Sequence, residues 1–349
     1  MTTERYIDLL RHLIEIPSVS GQEKDAADYL EKWLSDEGLA PRRLHDNLWL
    51  ESEPAGTKPT LLLNAHIDTV KPAASYTRNP YETSLEGDIL YGLGSNDDGG
   101  SLAALLSAYI DLTSRPQPYR LVWSATAMEE NSGSFGLETI LPQIGKISLA
   151  IVGEPTGMRM AVAERGLMVL DCTASGKSGH AAREEGDNAI YRAVRDMEWF
   201  RNYQFEKVSP YLGKTKMTVT MVNAGTQHNV VPDRCGFVVD IRPNGLYSNH
   251  EILDTVRSNI SSSAVPRSMR HSGSHINENS SVVARGRALG LESFGSPTLS
   301  NWTLLKCPAL KIGPGESSRS HSADEFILIS EIVSGIEIYI KLLDGLQLV

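Results

Sequence analysis

The chain has 349 residues, 41 % of them hydrophobic and 22 % charged, which is the composition of a globular protein with one large domain and room for a smaller one. Its formal net charge of −10, without any run of Lys or Arg, argues against a nucleic-acid partner. The three scattered cysteines, Cys172, Cys235 and Cys307, form no Cys-x-x-Cys pair, and no segment has the pattern of a secretory signal or the length of a membrane span, so we expect a cytoplasmic protein.

Helices and apolar strands alternate through the first 155 residues. Apolar positions at helical spacing predict helices, and continuous apolar runs predict strands that are buried on both faces. The predicted elements are helix 4–15, helix 23–37, strand 60–65, helix 101–115, strand 121–128 and strand 149–153. This alternation is typical of a mostly parallel α/β sheet with flanking helices.

The order of the predicted elements changes after Glu164. They become strand 166–175, helix 187–203, strand 215–224, strand 234–242, helix 249–262 and strand 268–275, which is the order of a ferredoxin-like α+β unit. The chain then resumes with helix 280–289, strand 309–313 and helix 330–343. We therefore predict a main domain formed by residues 1–165 and 276–349, with a second domain, residues 166–275, inserted into it.

Acidic and histidine side chains follow the predicted strands of the main domain where those strands end. They are His66, Asp68, Asp97, Glu129, Glu130, Glu154 and, from the far end of the chain, His321. Because ligands of open α/β sheets bind outside the carboxyl ends of the strands, we expect these side chains to converge on one crevice. Crowded carboxylates require a cation, so the sequence predicts a metal site.

Within this group, the spacing of the residues indicates different roles. His66 and Asp68 lie on the same side of an extended strand end, so His66 can bind a metal while Asp68 orients its ring. The side chains of Glu129 and Glu130 diverge, so one can bind a metal while the other acts as a general base. Asp97, in a glycine-rich loop before a helix, is placed to bridge two metals.

Each motif alone also has a plainer interpretation. His66 could be a buried structural histidine, Asp97 or its neighbour Asp98 could cap a helix, and Glu129-Glu130 could be a solvated turn. A dinucleotide site at Gly92-x-Gly94 is excluded because Asp97 replaces the third glycine of that motif and would repel a phosphate. His180 and His321, taken singly, would be ordinary surface histidines. The agreement of all the motifs favours the metal site.

With these residues in this order, the chain resembles the dinuclear zinc hydrolases of the aminoacylase, acetylornithine deacetylase, succinyl-diaminopimelate desuccinylase and glutamate carboxypeptidase family. The resemblance implies two divalent ions per chain, with Glu129 as the general base. One ion would be held by His66 and Glu154, the other by Glu130 and His321, with Asp97 bridging both. Imidazole and carboxylate ligands suit Zn²⁺, and Co²⁺ or Mn²⁺ can occupy the same set.

The resemblance also assigns roles to the inserted domain. It would be a lid or dimerisation domain, the protein would be a homodimer, and His180 would reach the active site of the partner subunit. Arg165, Asn229 and Arg242 are similar to the family's contacts to the substrate carboxylate and carbonyl. One departure is Gly99, where many relatives have a lysine.

The short length and the segment 153–156, Gly-Glu-Pro-Thr, favour an amino-acid deacylase among the activities of this family. The expected reaction removes an acetyl or succinyl group from an N-acyl amino acid, such as N-acetylornithine or N-acetylcitrulline, in arginine or lysine biosynthesis. A dipeptidase or aminoacyl exopeptidase of the same family is the alternative. A non-catalytic metal-binding or amino-acid-binding protein is a third possibility, against which the Glu129-Glu130 pair argues.

Overall fold

The computed structural model describes residues 3–348, which divide into two compact units. The first unit comprises Met1–Val162, Ile276–Phe294 and Ser300–Val349, and the second comprises Ala163–His275 and Gly295–Leu299. The short segment Gly295–Leu299, predicted as part of the main domain, thus belongs to the second unit. Within residues 3–348, no helix is both long enough and apolar enough to cross a membrane.

Helices and strands alternate along most of the chain. In chain order, the helices are α1 (Glu4–Ile14), α2 (Lys24–Asp36), α3 (Gly100–Thr113), α4 (Leu137–Ile144), α5 (Ala189–Asn202), α6 (Asn249–Asn259), α7 (Ser281–Ala288) and α8 (Ile329–Leu343). The strands are β1 (Arg42–Leu44), β2 (Asn47–Glu51), β3 (Thr60–His66), β4 (Ser84–Glu86), β5 (Ile89–Tyr91), β6 (Arg120–Thr126), β7 (Leu149–Val152), β8 (Met160–Glu164), β9 (Met168–Ser175), β10 (Gly179–His180), β11 (Lys216–Ala224), β12 (Val230–Val231), β13 (Arg234–Arg242), β14 (Ser263–Pro266), β15 (Ser274–His275), β16 (Ser293–Ser296), β17 (Ala309–Lys311) and β18 (Phe326–Leu328).

The first unit is built on a sheet with the strand order β1-β2-β6-β3-β7-β17-β8. Its centre is parallel, because β3 pairs in parallel with β6 and β7, and β17 pairs in parallel with β7. Every residue of β3, β6 and β7 is buried, as the continuous apolar runs require of strands covered on both faces. The predicted mostly parallel α/β architecture is confirmed.

A small sheet of the first unit, in the order β18-β5-β4, is entirely antiparallel. In its register, Phe326 lies opposite Tyr91 and Leu328 lies opposite Ile89. The pairing continues one residue beyond β18, because the Gly92 N–H donates to the carbonyl of Glu325 at 3.0 Å. This sheet therefore brings the segment before Phe326 alongside the glycine-rich loop that follows β5.

The second unit contains an antiparallel sheet in the order β11-β13-β9-β14, with α5 and α6 between its strands in the sequence. Burial alternates along β9 and β13, so one face of the sheet forms the core of this unit. That core includes Leu170, Phe200, Phe237, Val239 and Ile252. The element order is the strand–helix–strand–strand–helix–strand order expected from the sequence.

The last strand of this unit is not where the sequence predicted it. The helix predicted over 249–262 ends at Asn259, and β14 occupies residues 263–266. The main-chain N–H groups of Ser261 and Ser262 donate to the buried carboxylate of Asp196 at 3.1 and 2.8 Å instead of continuing the helix. Of the predicted strand 268–275, only the two residues of β15 are extended and paired.

Candidate metal centre

The predicted ligands of the first unit lie together at the carboxyl ends of its parallel strands. His66 is the last residue of β3 and is 2 % exposed. Its Nε2 lies 3.2 Å from Oδ1 of Asp97, while Nε2 of His321 lies 3.7 Å from Oδ2 of Asp97 and 3.0 Å from a carboxylate oxygen of Glu130. The two oxygens of Asp97 thus face two different imidazoles, which is the arrangement expected of a bridging carboxylate.

Among residues 3–348, two sets of three donor atoms, with the atoms of each set within 4.8 Å of one another, are close enough to hold an ion. One set is His66, Asp97 and Glu130, and the other is His66, Glu129 and Glu154. The nitrogen and carboxylate-oxygen donors are those that Zn²⁺, Co²⁺ and Mn²⁺ accept. The residues present therefore fit a divalent metal centre.

Burial and mutual repulsion alter the proton affinities in this cluster. Burial, reinforced by neighbouring carboxylates, raises the pKa of Glu129 to about 8 and that of Glu154 well above its ordinary value. Burial opposes protonation of His66, but Asp97 and the other carboxylates raise its pKa well above the ordinary value, and the hydrogen bond to Glu130 raises the pKa of His321 to about 9. Bound cations would oppose these shifts, because positive charge stabilises the ionised carboxylates and the neutral imidazoles that bind metal.

Asp68 lies beside the ring of His66, with Oδ1 3.6 Å from Nδ1, and it also contacts the turn that follows β6. The ring of His66 is oriented by the main-chain carbonyl of Asp68, to which Nδ1 donates at 2.9 Å, leaving Nε2 free to bind an ion. The Asp68 carboxylate also accepts the main-chain N–H groups of Glu129 and Glu130, each at 3.0 Å, and the hydroxyl of Ser20 at 2.7 Å. Asp68 therefore fixes the turn that carries the proposed base.

Glu23 holds the same turn and was not identified from the sequence. Its side chain is buried, and Oε1 accepts the N–H groups of Gly21 at 2.8 Å and Met128 at 3.0 Å. Met128 has a positive φ of 58°, which turns the chain toward Glu129. β6 therefore ends at Thr126, two residues before the end of the predicted strand 121–128. In the sequence Glu23 only marks the start of α2.

Lys311 is a second residue that sequence reasoning missed. It ends the apolar strand β17, is 2 % exposed, and places Nζ 3.9 Å from Oε2 of Glu154. A lysine is almost never fully buried unless it is paired, so its place at the end of an apolar run was an available signal. The positive charge of Lys311 favours the ionised form of Glu154.

The glycine-rich loop over Ser95–Gly99 is irregular, because the φ and ψ angles of Asp97 and Asp98 are not helical, and the peptide bond between them is cis. Neither aspartate caps α3; the Asp98 carboxylate accepts the N–H of His66 at 3.3 Å. At Gly99, an added Cβ would lie 2.4 Å from Cδ1 of Leu10 and 2.5 Å from the carbonyl oxygen of Gly94. The loop thus has no room for a larger side chain at position 99.

In the second unit, His180 and Asn229 lie side by side. β10 pairs with β12, and the Ala181 N–H donates to the carbonyl of Asn229 at 3.0 Å. The Ala182 N–H donates to Nδ1 of His180 at 3.1 Å, so the neutral ring carries its proton on Nε2. The His180 side chain is exposed and can offer that N–H to a ligand.

The two arginines predicted to bind substrate are both engaged within the second unit. The buried guanidinium of Arg165 donates to the carbonyls of Lys214 at 3.1 Å, Arg242 at 3.2 Å and Leu212. Arg242 forms a two-point pair with Asp240, at 2.7 and 3.0 Å. Arg165 therefore supports the main chain around Arg242, and a carboxylate bound by Arg242 would have to compete with Asp240.

The parallel sheet and the cluster of imidazole and carboxylate donors at its edge define a metal-dependent hydrolase. The chain belongs to peptidase family M20/M25/M40, whose sequence profile matches residues 62–345. This membership confirms the resemblance found from the motifs.

Known proteins similar to the chain include both enzymes and solved structures. A succinyl-diaminopimelate desuccinylase of Cereibacter sphaeroides is 27 % identical over 265 residues, which cover 71 % of this chain and 70 % of the relative. The structure of aminopeptidase PepT from Bacillus cereus has a TM-score of 0.77 at 18 % identity and covers 99 % of both chains. A Bacillus subtilis protein described as a dinuclear metal binding peptidase of the M20 family has a TM-score of 0.73 at 16 % identity, again over 99 % of both chains. At these identities the two structures establish the fold.

Proposed function

We propose that the protein is a two-metal amidohydrolase that removes an acetyl or succinyl group from an N-acyl amino acid. The observation that carries this proposal is the position of Asp97, whose two oxygens face His66 and His321 separately, with two further carboxylates, Glu129 and Glu130, on the adjacent turn. The name of the desuccinylase relative supports an acyl-amino-acid substrate, and favours a succinyl derivative in lysine biosynthesis over an acetyl derivative in arginine biosynthesis.

In this proposal one ion binds to His66, Glu154 and Asp97, and the other binds to Asp97, Glu130 and His321. Zn²⁺ is the preferred ion, with Co²⁺ or Mn²⁺ as substitutes. When bound, the ions polarise the amide carbonyl and acidify the attacking water. Glu129 would accept the proton of that water and pass it to the leaving amine, because its carboxylate lies beside the proposed ligands, within 4.8 Å of donor atoms of His66 and Glu154.

The assignment of Glu129 and Glu130 is tested by exchanging each for glutamine. Glu129→Gln should retain both ions and lose at least about 100-fold in turnover, since an amide cannot accept the proton. Glu130→Gln should lose most of one ion. Metal content after gel filtration and turnover are measured on both variants, and equal metal loss in the two would show that the roles are wrongly assigned.

The substrate is tested with matched N-acetyl, N-succinyl and carboxamide derivatives of basic amino acids, together with unblocked dipeptides. We propose that Arg242 binds the free carboxylate of the substrate and that Asn229 contacts the substrate carbonyl. Arg165 supports Arg242 by donating a hydrogen bond to the main-chain carbonyl of Arg242. Efficient cleavage of the carboxamide, or a preference for dipeptides, would replace the deacylase by a dipeptidase or aminoacyl exopeptidase. If the metal-loaded protein hydrolyses none of these compounds, the result would favour a non-catalytic metal-binding or amino-acid-binding protein.

We further propose a homodimer formed through the second unit. Its edge strand β11 exposes Met221 and Val222, and α5 exposes Tyr191 and Val194. A cavity of about 590 Å³ lies between α5 and β11. An unprotected edge with exposed apolar side chains is a surface that another chain can cover.

The dimer is tested by light scattering of Met221→Lys, with Val265→Lys as the control. Val265 is equally exposed, but it lies on β14 at the opposite edge of the same sheet. Only the first substitution should give monomers.

In the dimer, His180 of one subunit would donate its Nε2–H to the substrate oxyanion in the other subunit. Mixing inactive His180→Ala and Glu129→Gln chains should therefore restore activity, because one active site of the mixed dimer would hold both intact residues. No recovery under conditions of subunit exchange would refute that role for His180.

A further inference from the structure

A buried carboxylate outside the ligand set contacts the main chain of Asp97. Glu325 is 2 % exposed, and its Oε1 accepts the N–H groups of both Asn96 and Asp97, each at 2.9 Å. Glu325 is neither one of the proposed ligands nor the base. Burying this carboxylate next to other carboxylates costs free energy, which indicates that Glu325 has a role in the site.

The main chain around Glu325 is fixed from two directions. β18 pairs with β5, and the carbonyl of Glu325 accepts the Gly92 N–H at 3.0 Å, which holds Glu325 against the start of the glycine-rich loop. On the other side, the Asn96 side chain accepts the Glu316 N–H at 2.9 Å and donates to the Glu316 carbonyl at 3.1 Å. The segment 316–325, which includes His321, is thereby attached to the loop of Asp97 at both of its ends.

We propose that Glu325 is a positioning residue that fixes the carboxylate of Asp97 between the two imidazoles. Its two hydrogen bonds set the main chain of Asp97, and the segment that carries Glu325 also carries His321. The separation between the bridging carboxylate and the last ligand is therefore determined by the contacts of Glu325. This inference rests on the proposed bridging role of Asp97. Partners of metal ligands commonly change metal affinity by about 10–100-fold when they are replaced.

Glu325 could act through its geometry or through its negative charge, and two substitutions separate these effects. Both N–H groups use the same oxygen, so Glu325→Gln can keep both hydrogen bonds while it removes the charge. Glu325→Asp keeps the charge but withdraws the oxygen by the length of one methylene group. If Glu325 is a positioning residue, the aspartate variant should be the impaired one.

The matched control is Asp196, another buried carboxylate that accepts two consecutive main-chain N–H groups, those of Ser261 and Ser262. Asp196→Ala should lower the melting temperature without changing the affinity for metal. It thus separates a general loss of stability from an effect on the metal centre. Asp97→Ala serves as the reference for the proposed function, because it should abolish binding of the second ion.

The experiment measures Zn²⁺ affinity by competition with a chelator, and the visible absorption spectrum after loading with Co²⁺. Glu325→Asp should bind the ions at least tenfold more weakly and show an altered Co²⁺ spectrum, whereas Glu325→Gln should stay within threefold of the unmodified protein. A glutamine variant as weak as the aspartate variant, or an aspartate variant with unchanged affinity and spectrum, would overturn the inference. If Asp97→Ala itself retains both ions, the bridging role fails; if it loses one while Glu325→Asp does not, only the inference about Glu325 fails.

Discussion

Replacing Asp68 with asparagine should impair stability and turnover together, although the two side chains have nearly the same shape. Oδ1 of Asp68 accepts the Glu129 N–H, and Oδ2 accepts the Glu130 N–H and the Ser20 hydroxyl. An asparagine has one acceptor oxygen, so in either orientation its NH₂ group faces a main-chain N–H. One charge-assisted hydrogen bond is lost and one buried donor is left unpaired, at a cost of about 2–4 kcal/mol.

Urea unfolding of the chelated protein measures this cost without a contribution from bound ions. Turnover of the metal-loaded variant should fall at least tenfold, because the substitution should displace the turn that carries both Glu129 and Glu130. Ser20→Ala is the control, since it removes only the hydroxyl contact and should cost about 1 kcal/mol. If Asp68→Asn keeps its full stability and weakens only the ion at His66, the carboxylate acts through the imidazole ring and does not hold the turn.

Three further predictions concern the same unit. Burial, reinforced by Asp97, raises the pKa values of Glu129 and Glu325 from 4.5 to about 8, so the folded chelated protein holds protons that the unfolded chain has released. Its melting temperature should therefore fall by several degrees between about pH 5 and pH 8, and added Zn²⁺ should remove most of that fall. Lys311→Met should destabilise the Zn²⁺-loaded protein by about 3 kcal/mol in urea unfolding, because it leaves the ionised Glu154 without its buried cation; an unchanged midpoint would mean that the pair contributes nothing. Gly99→Ala should cost about 1–3 kcal/mol in the same assay, since its Cβ would meet main-chain and side-chain atoms within 2.5 Å, and full stability would contradict the lack of space around Gly99.

The sequence was most informative where local pattern and position along the sheet coincide. Apolar runs ending in His66 and Glu154 indicated both buried strands and the edge at which their polar ends meet, because parallel strands end on one side. The contacts of Glu23 and Glu325 could not be predicted in this way, and the apolar run around Lys311 indicated a paired lysine without indicating its partner. Each joins segments that are distant in the chain, and no local periodicity encodes such a pairing.

The displaced strand of the second unit shows the same limit. Residues 268–275 contain a single apolar side chain, that of Met269, and the strand forms at β14 instead. The Asp196 carboxylate stops α6 early by binding two N–H groups, and Ala264 then packs into the core opposite Cys172. Local propensity is a weak predictor of strands because pairing partners decide them.

The interrupted course of the first unit has a consequence for synthesis on the ribosome. Four of the five proposed ligands and the proposed base lie within the first 154 residues, whereas His321 and β17 come after the insertion. β17 lies between β7 and β8 in the finished sheet, so until it is made, β7 has an unpaired edge. At a translation rate of roughly 5–20 residues per second, the edge of β7 and the nearby carboxylates remain without β17 and His321 for about 8–32 s. During this interval the unpaired strand edge can aggregate with other chains, so we expect folding of the nascent chain to benefit from chaperones.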